Sequence, residues 1–78
     1  MRVEIITPDK SLFAGDAKAV TVPGIDGSLG ILNNHAPLIS ALKKGIVKVT
    51  DTNNSVTTYE INGGVAEVQN NKLIILAE

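Results

Sequence analysis

"GIVKVTDTNNSVTTYEINGGVAEVQNNKLIILAE", residues 45–78, is the stretch that decides the fold. Gly45 to Thr50 and Val56 to Asn62 are rich in Val, Ile, Thr and Tyr, residues that suit a pleated, half-buried surface. The segment DTNNS joins them, which predicts a hairpin with a five-residue loop. Asn62-Gly63-Gly64 is a turn signal. Val65 to Gln69 and Lys72 to Leu76 flank Asn70-Asn71, a pair suited to a two-residue turn that needs positive φ.

The first half reads the same way. Arg2 to Thr7 alternates, with Val3 and Ile5 on one face, until Thr7-Pro8-Asp9 stops it. Ser11 to Gly15 is a short strand carrying Leu12 and Phe13. Lys18 to Val22 puts Val20 and Val22 on one face, and Pro23-Gly24 is expected to break it. The middle, GIDGSLGILNNHAP, holds three glycines and allows only brief strands. LISALKK, bracketed by Pro37 and Gly45, is expected to be a strand or a turn-like connector. Several short strands at short, even intervals predict an all-β fold, a β-sandwich or small barrel. It forms one domain over residues 1–78, with no internal repeat, low-complexity segment or linker.

Composition narrows the function. A domain of 78 residues buries roughly 60% of the surface its unfolded chain exposes, so its stability is modest. The apolar fraction, 44%, is too high for disorder. Phe13 and Tyr59 are the only aromatics, so Val, Ile, Leu and Ala must build the core. Seven basic and eight acidic residues give a formal charge of −1. That balance argues against a nucleic-acid partner, which calls for a basic patch and stacking aromatics. Without cysteine there is no disulfide scaffold and no thiolate zinc site. The start, MRVEII, has neither signal-peptide nor transit-peptide character. The longest apolar run, Leu73 to Ala77, is far short of the ~20 residues that span a bilayer. A soluble protein is expected, with no direct membrane insertion and any membrane association made through a partner.

His35 is the one histidine. A general base needs an orienting partner and a group to activate, and no second histidine or cysteine supplies either. Asp9, Asp16, Asp26, Asp51 and the glutamates form no motif for paired-carboxylate chemistry, and one histidine among scattered carboxylates is no metal-ligand set. No catalytic, metal or cofactor residue is therefore expected. Two readings of His35 remain: a turn histidine bonded to its neighbours, or one contact in a docking surface.

Gly24, Gly27 and Gly30 lack the spacing, and the helix, of a dinucleotide fingerprint. They suit tight reversal in a surface loop. That loop carries Ile25 and Leu29, which either fold back onto the sandwich or dock. Asn53-Asn54-Ser55 matches the glycosylation sequon, an accidental match without a secretory signal. Glu60 and Glu67 fall in strands, where Lys48 or Lys72 could face them. The residues alone suggest a binding module and do not name its partner.

Several motifs occur together and in order. They are Phe13-x-Gly15, Gly24-x-x-Gly27-x-x-Gly30-Ile31, His35-Ala36-Pro37-Leu38, and Gly63-Gly64 followed by Glu67-Val68. From Arg2 to Glu78 the chain resembles the N-terminal domain of the epsilon subunit of bacterial rotary, F-type ATP synthase, which is the delta subunit in mitochondria. The resemblance implies a flattened β-sandwich of about ten short strands, which agrees with the strand reading above. It also implies a non-catalytic, central-stalk rotor subunit. Such a subunit docks on the gamma subunit and the c-ring and helps couple proton translocation to ATP synthesis. It lies peripherally at the cytoplasmic face of the bacterial inner membrane.

By the same resemblance, His35 matches the family histidine facing gamma, and Thr7 and Ser40 match positions near that surface. Leu38 and Ile39, just past the proline, are possible anchors there. Gly24, Ile25, Asp26, Gly27, Ser28 and Leu29 match the region touching the c-ring. The family often has an acid at the position of Ser28, and Asp26 could replace its charge. The family usually continues into a C-terminal helical hairpin that inhibits hydrolysis and in some members binds ATP. This sequence ends at Glu78, so neither hairpin inhibition nor nucleotide binding is expected of it. The alternative class is a free-standing β-sandwich module for a peptide or carbohydrate, although two aromatics are poor provision for a sugar platform.

Overall fold

The computed structural model describes residues 1–78. They form nine strands: β1 (Arg2–Ile6), β2 (Ser11–Asp16), β3 (Ala19–Gly24), β4 (Gly27–Leu32), β5 (Leu38–Leu42), β6 (Gly45–Thr50), β7 (Val56–Ile61), β8 (Gly64–Gln69) and β9 (Lys72–Ala77). No helix is long and apolar enough to cross a membrane.

Hydrogen bonding runs continuously in the order β2-β1-β9-β8-β5-β3-β6-β7, with β4 on the remaining edge of β3. All the pairings are antiparallel except β1 with β9. The link between β5 and β3 is a single residue pair, Gly24 with Leu42. The path folds at that corner into two layers, β2-β1-β9-β8-β5 and β7-β6-β3-β4. The expected β-sandwich is therefore present, nearly closed into a barrel.

Period-two alternation fills the space between the layers. Val3, Ile5, Leu73, Ile75, Ala66 and Val68 point in from the first layer, and Val20, Val22, Ile31, Val47 and Val49 from the second, each at most 2% exposed. No polar or charged residue is buried with them. The two aromatics sit on edge strands of opposite layers, Phe13 on β2 and Tyr59 on β7, with ring centroids 6.1 Å apart and planes tilted by 60°. They close the side opposite the β5–β3 corner.

The turns follow their sequence signals. Asn70 and Asn71 both take positive φ, 52° and 58°, as a two-residue reversal requires. In the β6–β7 loop Asp51 Oδ1 accepts the amides of Asn53 at 2.8 Å and Ser55 at 2.9 Å. This carboxylate stands in for a backbone acceptor.

The structure departs from the sequence expectation in three places. Pro23-Gly24 does not end its strand: β3 runs through both residues. Pro23 lies where β6 has already left the edge of β3, so its missing N–H deprives no partner. Its carbonyl still accepts from Lys43 N–H at 2.9 Å. The glycine segment is not an open loop either. Gly27–Leu32 is a full strand, and only Ile25 and Asp26 form the reversal. Gly27, Leu29 and Ile31 face inward there, but glycine has no side chain to show the alternation in sequence. Third, the one salt bridge joins Lys72 Nζ to Glu4 Oε2 at 3.1 Å across β9 and β1. Glu67 lies opposite Ile39 and Ile74, and Glu60 opposite Ile46.

Gly64 opens β8 at φ +140°, and a Cβ there would lie 2.1 Å from the Leu76 carbonyl oxygen. Gly64→Ala is therefore expected to cost at least about 3 kcal/mol in urea unfolding, from backbone strain and forced separation of β8 from β9. Gly30→Ala, where a Cβ meets nothing within 4 Å, is expected to stay within about 0.5 kcal/mol of the parent. Equal effects at the two positions would contradict this account of the β8–β9 contact.

Candidate docking surface

All the candidate residues except Thr7 fall on three pieces of surface. The first is the crossover 33–37, which carries the chain from β4 in one layer to β5 in the other. Asn34 has φ 62°. His35 N–H donates to Leu32 O at 3.2 Å, and Nδ1 donates to Ala36 O at 2.8 Å. A carbonyl can only accept, so Nδ1 carries the proton. His35 therefore bonds its neighbours as a turn histidine does, and half-burial still leaves part of the ring at the surface. No group of three or more His, Cys, Asp or Glu residues that could hold a metal ion is formed.

The second piece is β5. Alternation turns Leu38, Ser40 and Leu42 toward the core and Ile39 and Ala41 outward. Leu38 packs against the buried cluster. Ile39 is 73% exposed, the most exposed large hydrophobic residue in the chain. Of the two possible anchors after Pro37, the surface one is therefore Ile39. Ser40 is half-buried, and its hydroxyl donates to Ala41 O at 3.2 Å.

The third piece is the β3–β4 tip. Ile25 is 59% exposed, and Asp26 and Ser28 are exposed beside it. Leu29 takes the other course and packs against the core. Ile25 N–H donates to Ala41 O at 3.0 Å, which fastens the tip to β5. Gly24 through Leu29 and Ile39 through Ala41 line one groove. The structure thus brings the tip residues together with β5, while His35 lies beyond the other end of that strand, whose five residues span about 13 Å.

Thr7 stands apart. It closes its own turn: Oγ1 accepts from Lys10 N–H at 3.1 Å, and its N–H donates to Lys10 O at 2.8 Å. Strands β9 and β8 lie between its strand and β5, a separation of about 14 Å at ordinary strand spacing. Between the two runs a row that the sequence reading did not isolate. Ile6 is paired with Leu76, Leu76 with Val65, and Val65 with Ala41. All lie on the outer face, with Leu76 56% and Val65 40% exposed. Ile39 and Ile74 extend the row on the same face. The available signal was that KLIILA and GVAEV place apolar residues on both faces, as strands covered on both sides do.

Residues 1–78 match the family described as "ATP synthase, Delta/Epsilon chain, beta-sandwich domain". The chain is 42% identical over 77 residues to the ATP synthase epsilon chain of Chlorobium limicola, covering 99% of this chain and 88% of that one. It is 41% identical over 78 residues to the ATP synthase epsilon chain of Campylobacter curvus, of which it spans 60%. A chain of the mitochondrial ATP synthase of Euglena gracilis superposes with TM-score 0.90 at 23% identity, over 96% of this chain and 48% of that one. A chain of the Tetrahymena thermophila mitochondrial ATP synthase central stalk and c-ring superposes with TM-score 0.83 at 24% identity, over 99% of this chain and 62% of that one. At these identities the two structures bear on the fold, and they share it.

The opposite orientations of Leu38 and Ile39 separate stability from surface chemistry. Leu38→Asp sets a charge against the core from a half-buried position and is expected to cost about 2–3 kcal/mol. Ile39→Asp is expected to change the urea-unfolding free energy by less than about 0.5 kcal/mol. A large loss at Ile39 would show that this side chain belongs to the core.

Proposed function

The chain belongs to the ATP synthase delta/epsilon β-sandwich family, and on that premise we propose that it is a non-catalytic rotor component, docking on the gamma subunit and the c-ring. The outer apolar row carries this reading. Ile6, Leu76, Val65 and Ala41 make a continuous stripe across β1, β9, β8 and β5. A sheet face left in water would alternate to polar residues there. A contiguous apolar patch of this kind marks a protein contact.

The row and the β5 edge, with Ile39 and His35 toward one margin and Thr7 at the other, form the gamma-facing surface. Stable attachment asks for about 1,200 Å² or more of total buried area. Full burial of an exposed Ile or Leu contributes roughly 1.5–3 kcal/mol. The β3–β4 tip, with Ile25, Asp26 and Ser28, meets the polar loops of the c-ring. Asp26 is the charge offered there, since Ser28 is neutral.

A rotor part must transmit torque without deforming. Two layers packed through one core, joined by backbone bonds at one side and an aromatic pair at the other, meet that need. Proton flow through the ring turns the stalk, and this subunit carries its share of the rotation toward the catalytic head. The subunit sits peripherally at the cytoplasmic face of the membrane, held by its partners.

Calorimetric titration against the isolated gamma subunit from the same source is expected to give a 1:1 complex of micromolar affinity or better. Ile39→Asp and Val65→Asp should each weaken it at least about tenfold, or 1.4 kcal/mol, and His35→Ala should weaken it less. Unchanged affinity in both aspartate variants, with the fold intact, would sink the assignment of this face.

The tip is tested in assembled enzyme. A cysteine replacing Ser28 should form a disulfide with a cysteine in the polar loop of the c-ring, and one replacing Thr58 on β7 should not. Failure of the Ser28→Cys adduct, or equal yield from both sites, would remove the tip from the ring contact.

A further inference from the structure

We propose that Asn71 is a positioning residue that holds the His35 crossover in its docking conformation. The inference rests on the reading above, in which that crossover borders the gamma-facing surface. Asn71 is the second residue of the β8–β9 reversal, at φ 58°. Glycine serves best at such a position, because it takes positive φ without steric cost. Asparagine tolerates the same backbone and adds a side chain, and here that side chain has a long-range partner. Asn71 Oδ1 accepts the backbone N–H of Asn34 at 2.7 Å, 37 residues away in sequence.

The bond falls where the crossover has least support of its own. Asn34 is itself in the left-handed region, at φ 62°, immediately before His35. Within the crossover, His35 N–H reaches back to Leu32 O, and the imidazole reaches forward to Ala36 O. These bonds shape the loop but do not fix it to the first layer. Outside contacts do that: Asn71 holds Asn34, and Asn33 Oδ1 accepts from the Met1 amine nitrogen. The Asn71 carbonyl also accepts from Arg2 N–H at 3.2 Å. One residue thus ties the β8–β9 turn, the start of β1 and the crossover together. Because these groups are at the surface, the bond governs where the loop sits more than whether the domain folds.

Two substitutions separate acceptor from backbone. Asn71→Gly keeps the turn conformation and removes Oδ1. Asn71→Asp keeps an acceptor oxygen in the same place. In Asn71→Gly the Asn34 amide is expected to exchange with solvent at least about threefold faster. The urea midpoint should be unchanged or higher, and affinity for the isolated gamma subunit should fall about three- to tenfold. Asn71→Asp should restore both exchange and affinity.

Unchanged exchange at Asn34 in Asn71→Gly would overturn the anchor. Faster exchange with undiminished gamma affinity, where Ile39→Asp and His35→Ala do weaken binding, would overturn its role in docking. Failure of the docking reading itself looks different: binding would then be indifferent to Ile39→Asp and His35→Ala as well, while Asn34 exchange would still respond to Asn71.

Discussion

The corner between β5 and β3 is the constraint on which the rest of this structure depends. Only Gly24 and Leu42 pair across it, flanked by Ile25 N–H to Ala41 O and Lys43 N–H to Pro23 O. A chain this small cannot bury enough surface in a single flat sheet. It must fold its sheet back on itself, and the corner is where that happens. Gly24 fits there because a Cβ would lie 2.6 Å from the Gly27 carbonyl oxygen. Pro23 fits because β6 has left its edge by that point, and the Lys43 N–H that lies there calls only on the Pro23 carbonyl. With the corner set, alternation delivers Val, Ile, Leu and Ala from both layers into one core, and the Phe13–Tyr59 contact closes the open side at a gain of about 0.5–1.5 kcal/mol.

The same alternation makes the outer surface. Each inward residue of β5, β8, β9 and β1 fixes an outward neighbour, and many of these neighbours are apolar. Leu73 and Ile75 are core; Ile74 and Leu76, between and beyond them, point outward. Register turns isolated residues into a row, because parallel pairing of β1 with β9 sets Ile6 beside Leu76. A one-residue slip of β1 at that pairing would turn Ile6 inward and Val3 and Ile5 outward. Core and outer apolar row are therefore two consequences of one register.

Most of the fold was legible in the sequence because its signals were local. The β-rich runs of residues 45–78, the Asn70-Asn71 turn and the Asp51 loop need only nearest neighbours to be read. Pro23 and the glycines were misread because their meaning depends on which strand lies alongside. Proline is harmless where the neighbouring strand asks only for its carbonyl, and glycine hides the period of β4. Lys72 found Glu4 rather than Glu67 because β1 inserts next to β9, a pairing no local signal announces. The candidate site was legible in part. Membership of the family followed from ordered motifs, and His35 was singled out as the one histidine. Ile39 outranking Leu38 as a surface group, and the row from Ile6 to Ala41, required the register.

The surface also shows why no single residue announced a function. The docking proposed above draws on apolar side chains that alternation turns outward, a hairpin tip fastened to β5, and a crossover bonded to a distant turn. None of these is a reactive group, and none stands out by residue type. A catalytic centre concentrates unusual chemistry at a few positions, which a sequence can display. A docking face spreads ordinary chemistry over several strands, and becomes visible only when the strands are laid side by side. His35 illustrates the point: its rarity drew attention, yet its ring is engaged with its own loop. The contribution proposed for it runs through its backbone neighbour Asn34, which Asn71 bonds from the β8–β9 turn.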